Sequence, residues 1–146
     1  MADNQPSPVP TGPLWTPDLQ LGIPLIDGQH RRLVEQLAAV RDAVAAGRGA
    51  REVLQAIAFL EEYTTEHFHT EERYMAGHRY PGLERHRAIH AAFRSNVHRA
   101  VLAVEKWRGT GPAAELVERM LVHWYLRHIR GTDQKYAAHV KRTAGQ

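Results

Sequence analysis

The sequence predicts an all-α protein, an antiparallel up-down four-helix bundle behind an extended N-terminal arm. Three observations carry this expectation. Apolar residues recur at three- and four-residue steps through four long stretches, segments containing Gly and Pro interrupt the recurrence, and no stretch alternates with the period of two that a strand would show. Long amphipathic helices joined by short turns bury their stripes against one another as antiparallel neighbours.

Residues 1–13 are rich in Pro, Ser and Asn and read as a flexible or extended arm, which leaves residues 14–146 as one bundle domain. The first helix is expected over roughly Leu25 to Ala46. Ile26, His30, Leu33, Val34, Leu37, Val40 and Val44 share its inner face, and Gly47 and Gly49 stop it. The second, roughly Arg51 to Met75, places Val53, Ile57, Leu60, Thr64, His67, Glu71 and Met75 on one stripe and ends in the Gly77 to Pro81 region. The third, about Leu83 to Trp107, carries His86, His90, Phe93, Val97, Val101 and Val104 and stops before Gly109 to Pro112. The fourth begins near Ala113 and carries Val117, Leu121, Trp124, Tyr125 and His128.

Composition narrows the chemistry. A chain of 146 residues can bury a core without disulfides, and with no cysteine it has neither thiolate metal ligands nor thiol nucleophiles. Any metal must therefore be held by His, Asp or Glu. The formal charge is only +3, and Lys and Arg are scattered among acids, so no basic stripe points to nucleic acid or an anionic membrane. The first ten residues carry no basic cluster or apolar run, and no later stretch approaches a membrane span; the expected location is the cytoplasm.

Histidine is the anomaly, with ten in the chain. Five of them, His30, His67, His86, His90 and His128, stand out together with Glu71 and Asp133. His67/Glu71 and His86/His90 are spaced i, i+4, so each pair shares a helix face with Cβ atoms about 5–6 Å apart. Arm lengths agree as well. From His30 to the end of the first helix is about sixteen residues, and from the start of the second to His67 about sixteen again, or roughly 24 Å down and 24 Å back. The same count from His90 to His128 balances, and Glu71 and His86 flank a short connection, so all four helices bring polar residues to one layer nearer one end. Asp133 departs from this pattern. Five residues beyond His128 is about 140° off its face in a regular helix, so a break or bulge is required there, and Gly131 is placed to supply one.

Any one of these histidines alone could be an ordinary core or surface residue. Burying seven such groups in core phase without partners is prohibitive, whereas metal satisfies them together. His69, His78, His98, His123 and His139 do not share the alignment and are assigned to solvated or outer positions. Seven ligands exceed one tetrahedral zinc and suit a pair of borderline ions bound by nitrogen and oxygen. If both carboxylates and a solvent-derived oxygen bridge, five histidines split three and two, which leaves one coordination position open to a diatomic ligand.

The stretches I-D-G-Q-H at Ile26 to His30, H-F-H-T-E-E at His67 to Glu72, Y-P-G-L-E-R-H-R-A-I-H at Tyr80 to His90 and W-Y-L-R-H-I-R-G-T-D-Q-K-Y at Trp124 to Tyr136 resemble the hemerythrin family, specifically its single-domain bacterial members. The resemblance spans about Trp15 to Val140. It implies that His86, His90 and His128 bind one iron, that His30 and His67 bind the other, and that Glu71 and Asp133 bridge them. It also implies two irons cycling between Fe2+ and Fe3+ with an oxo or hydroxo bridge, and reversible dioxygen binding for storage, delivery or sensing. Azide and nitric oxide are implied as further small ligands, and no partner protein is indicated. Trp124, Tyr125 and Ile129 are expected to line the oxygen pocket. Tyr125 stands where the family usually has Leu, so its hydroxyl either reaches a backbone carbonyl or solvent while the ring fills volume, or donates to the bound ligand. The alternative function, a di-iron oxidase or peroxidase rather than a non-enzymatic carrier, draws on Tyr125 alone.

Overall fold

In the computed structural model, which describes residues 8–106 and 111–144, the first α-helix starts on a proline and the first two close on a left-handed residue past their last turn. Helix α1 spans Pro24–Ala45, and Pro24 loses nothing by lacking an N–H there. Asp27, in its first turn, accepts the backbone N–H groups of Leu21 at 2.7 Å and Gly22 at 3.0 Å, which secures the entry to the helix. Beyond Ala46, Gly47 adopts φ 64°, and the amides of Gly47 and Arg48 return to Val44 and Ala43. That closure satisfies the last carbonyls of α1.

Helix α2, Ala50–Gly77, closes in the same way with a different residue. Gly77 stays helical, and Arg79 takes the left-handed position at φ 52° while the Tyr80 amide reaches Met75. Gly82 completes the connection because a Cβ there would lie 2.7 Å from the Tyr80 ring. Helix α3 spans Leu83–Lys106 and α4 spans Gly111–Arg127. The expected end of α3 at Trp107, the glycine of the following turn at Gly109, and the first seven residues of the arm lie outside the described residues. The fourth column continues through a π-helical turn, His128–Asp133, into α5, Gln134–Ala144.

The helices pack in ring order, α1 on α2, α2 on α3, α3 on α4 and α4 back on α1, as an up-down bundle requires. Among the described residues no strand is present. The stripes read from the sequence face inward, although Val44 and Val101 are only partly buried and Ala43 takes a fully buried place. The apolar interior has two parts. A long one runs from Leu33, Leu37 and Ile57 to Phe93, Leu121 and Tyr125, and a short one comprises Leu21, Ile23, Ile26, Met75, Tyr136 and Ala137. The histidine layer separates them, nearer one end of the bundle.

Ahead of α1, a single 3-10 turn, Pro17–Leu19, lies against the π turn, where the Arg130 guanidinium bonds Asp18 and Thr16. Within the arm, the carbonyls of Pro10 and Gly12 accept from Arg41 at 2.9 and 2.7 Å, and Val9 packs on the core. No helix among the described residues is long and apolar enough to cross a membrane.

Candidate metal centre

His30 comes from α1, His67 and Glu71 from α2, His86 and His90 from α3, and His128 and Asp133 from the two ends of the π turn. All seven side chains are buried. Two groups form. The ligating atoms of Glu71, His86, His90 and His128 all lie within 4.8 Å of one another, and so do those of His30, His67 and Glu71. Glu71 belongs to both, with Oε2 3.2 Å from His90 and 3.7 Å from His67, and Oε1 3.9 Å from His30. Asp133 spans the same gap. Its Oδ1 lies 3.0 Å from His128 and 3.2 Å from His86, while Oδ2 lies 3.2 Å from His30.

The π turn brings Asp133 into this set. Its i→i+5 geometry accommodates one residue more than an α-turn, which carries the position five residues after His128 back toward the same face. Gly131 sits within the turn, but a Cβ there would meet nothing within 4 Å and its φ is not left-handed. The bulge required by the sequence is thus present without a steric need for that glycine.

Burial and the nearby Asp133 charge push the Glu71 carboxyl up, yet the imidazoles of His67, His86 and His90 outweigh them and hold it at about 2. Asp133 is likewise held well below the usual carboxylate range, because His128, His30 and His86 overcome its burial. In return, although burial opposes the charged imidazole, Asp133 and Glu71 raise His86 to about 9 and also raise His30. His67 goes the other way, lowered to about 4 by burial. Even so, among the described residues six buried polar atoms have no hydrogen bond of proper geometry, and they belong to His30, Glu71, His86 and Asp133. A buried nitrogen and carboxylate set in which His30 Nε2, His86 Nε2, Glu71 Oε2 and both Asp133 oxygens converge is the donor chemistry of a pair of borderline divalent ions, so the residues fit such metals.

Surrounding side chains fix the imidazoles. The Phe68 ring stacks on His90 at 3.7 Å and 1°, and Trp124 stacks on His128 at 4.3 Å and 14°. Three supporting contacts were not read from the sequence. His67 Nδ1 donates to Gln29 Oε1 at 2.8 Å, His90 Nδ1 donates to Glu72 Oε1 at 2.8 Å, and the Tyr136 hydroxyl donates to Glu71 Oε1 at 2.6 Å. Gln29 and Glu72 each adjoin a residue of the layer, but one step along a helix is about 100° of rotation and reads as outward-facing. Only the neighbouring helix shows what they meet.

Tyr125 turns inward, and its hydroxyl pairs with the Thr64 hydroxyl rather than with a backbone carbonyl or solvent. Its ring lines a cavity of about 100 Å³ with the buried Leu60, Thr64, Phe93, Val97 and Leu121, while Glu61, Thr65 and Arg94 line its outer side. Trp124 is partly buried against His128, and Ile129 is buried in the long core. Of the histidines outside the layer, His139 donates to the His78 carbonyl at 2.9 Å, His78 bonds the Tyr74 carbonyl, and His69 and His98 are exposed.

Residues 21–140 match the hemerythrin HHE cation binding domain. The bacteriohemerythrin of Stenotrophomonas maltophilia (strain R551-3) is 34% identical over 128 residues, covering 88% of this chain and 81% of that protein. The bacteriohemerythrin of Pseudomonas aeruginosa (strain LESB58) is 31% identical over 137 residues, 91% of this chain and 84% of that protein. Similarity extends to the myohemerythrin of Riftia pachyptila, 26% identical over 88% of this chain and 93% of the relative. A helical ring with a histidine and carboxylate layer, matched along most of its length by these proteins, belongs to the hemerythrin family.

Proposed function

We propose that this protein binds dioxygen reversibly at a di-iron centre held by His30, His67, Glu71, His86, His90, His128 and Asp133. The observation that carries the reading is that two buried histidine groups share the same two carboxylates, and that the unpaired polar atoms of the layer belong to these residues. When bound, the two irons supply a redox pair and a coordination position able to take up a small diatomic ligand.

The chain's own residues set the conditions. Three histidines face one position and two the other, so the poorer side is where a ligand position stays open. Glu71 and Asp133 remain ionised and offset the metal charge within a dry interior. The cavity beside Tyr125 supports the reading further, since Thr64, Phe93 and Tyr125 each stand one helical turn from His67, His90 and His128. Space of this size against the buried side chains Leu60, Phe93, Val97 and Leu121 suits a diatomic gas. Tyr125 lends less support to an oxidase or peroxidase, because its hydroxyl is engaged by Thr64 and burial pushes its pKa up.

The test is anaerobic loading with Fe2+ followed by oxygen. The expected result is two irons per chain and a visible absorption that appears with oxygen and disappears on purging with argon. Glu71→Ala and Asp133→Ala should fall below two irons, while His139→Ala keeps both. One iron per chain, an absorption that purging cannot reverse, or full loading of both carboxylate variants would overturn the proposal.

A further inference from the structure

One outer nitrogen in each of the two histidine groups meets an acceptor of different charge. On the three-histidine side, His90 Nδ1 donates to the Glu72 carboxylate, 2.8 Å away. On the two-histidine side, His67 Nδ1 donates to the neutral amide oxygen of Gln29, also at 2.8 Å, and His30 Nδ1 has no partner. The two acceptors are nearly isosteric and equally close, and they differ by one negative charge.

An acceptor behind a ligating imidazole fixes its tautomer and raises its basicity, and a carboxylate does so more strongly than an amide. Arg87 approaches Glu72 at 3.7 Å, but it lies closer to Glu84, at 2.7 Å, and its side chain is 45% exposed, so it offsets the Glu72 charge only in part. Accepting the di-iron reading above, we infer that Glu72 and Gln29 set the order of oxidation: Glu72 makes the three-histidine position the easier to oxidise, and Gln29 leaves the two-histidine position reduced longer. Both are positioning residues that act through the imidazoles they hold. The inequality adds to that of ligand number, since the position with fewer histidines also has the weaker donor.

The experiment is a spectroelectrochemical titration of the anaerobically iron-loaded protein, which passes two electrons one at a time to the electrode. Glu72→Gln should raise the potential of the first oxidation and leave the second nearly unchanged. Gln29→Glu should lower the second and spare the first, so both variants narrow the gap between the steps. The expected shift is about tenfold in the equilibrium constant of the affected step, the low end of what removing such a partner does to a metal site. Arg87→Gln, at a surface position away from the core, should lower the first potential, opposite in sign to Glu72→Gln, and it provides a measurement even where a buried variant folds poorly. Iron content separates the two proposals. Wild-type protein holding fewer than two irons overturns the di-iron reading and this inference with it. Variants that hold two irons but leave the gap unchanged, or that move both steps together, overturn the inference alone.

Discussion

Tyr125 and Thr64 form a buried polar pair in the cavity wall, one turn from the histidine layer, beside Leu60, Phe93, Val97 and Leu121. Burial raises the phenol's pKa, with the Thr64 contact opposing the rise, so the group stays neutral at ordinary pH. Thr64→Val strands a buried hydroxyl and is expected to cost about 1–3 kcal/mol, with Tyr125→Phe nearer the lower end. Removing both partners should cost less than the sum of the single losses, which urea unfolding of the four proteins in a double-mutant cycle would show. Additivity would mean that the two hydroxyls are not coupled. The same variants address ligand escape. If the hydroxyl pair contributes, Tyr125→Phe and Tyr125→Leu both change autoxidation several-fold in one direction, as expected for about 1 kcal/mol. Stopped-flow decay in which Phe behaves as wild type and only Leu differs would assign the role to ring volume.

At the scale of elements, the π turn carries the most consequence per residue. It presents His128 at its start and Asp133 at its end, and it sets the rotation at which α5 brings Tyr136 onto Glu71. An alanine inserted between Arg130 and Gly131 turns Asp133 and Tyr136 by about 100°. It should reduce iron below two per chain while circular dichroism still reports a helical protein, whereas an alanine inserted after Lys141 should leave iron unchanged. Equal iron content in both insertions would show that the turn's phase is unimportant. Gly131→Ala is expected to keep both irons and to be neutral or stabilising by about 0.5–1 kcal/mol, since its Cβ meets open space and the helical backbone suits alanine. Arg79 poses the opposite case, holding a left-handed position without the freedom of glycine because the α2 closure requires that geometry.

For the whole molecule, the histidine layer is an electrostatic compromise until metal enters. His86, raised to about 9, carries a proton at neutral pH because Asp133 and Glu71 face it, and the same pair raises His30. That contribution to metal-free stability is fully present below the unfolded histidine pKa of about 6.5 and is lost as pH rises through about 9 for His86. Metal needs the neutral imidazole, so loading must expel the His86 proton. Anaerobic titration calorimetry with Fe2+ at pH 7 in two buffers of different ionisation enthalpy should therefore show net proton release, and apparent affinity should rise from pH 6.5 toward pH 9. Buffer-independent heats would mean that the layer is already neutral. Free metal at a hundredfold over its Kd adds about 2.7 kcal/mol, so the thermal midpoint should rise by roughly 5–10 °C on loading.

The linear chain was enough to show which residues gather in the buried layer. Periodicity put His30, His67, Glu71, His86, His90 and His128 on buried faces, and helix lengths put them at one height, because both depend only on the 1.5 Å rise and 3.6-residue turn of the α-helix. The misfit of Asp133 was legible for the same reason, as a residue five places on that a regular helix cannot present. Its remedy was not legible, since an α- and a π-turn differ little in local preference and the choice follows from what Asp133 gains from His30 and His86 and Tyr136 from Glu71 across the bundle. The partners of Tyr125, His67 and His90 were also beyond the sequence. Thr64, Gln29 and Glu72 stand 61, 38 and 18 residues from them, and only tertiary packing decides which side chain on one helix fills the hydrogen-bonding vacancy of another.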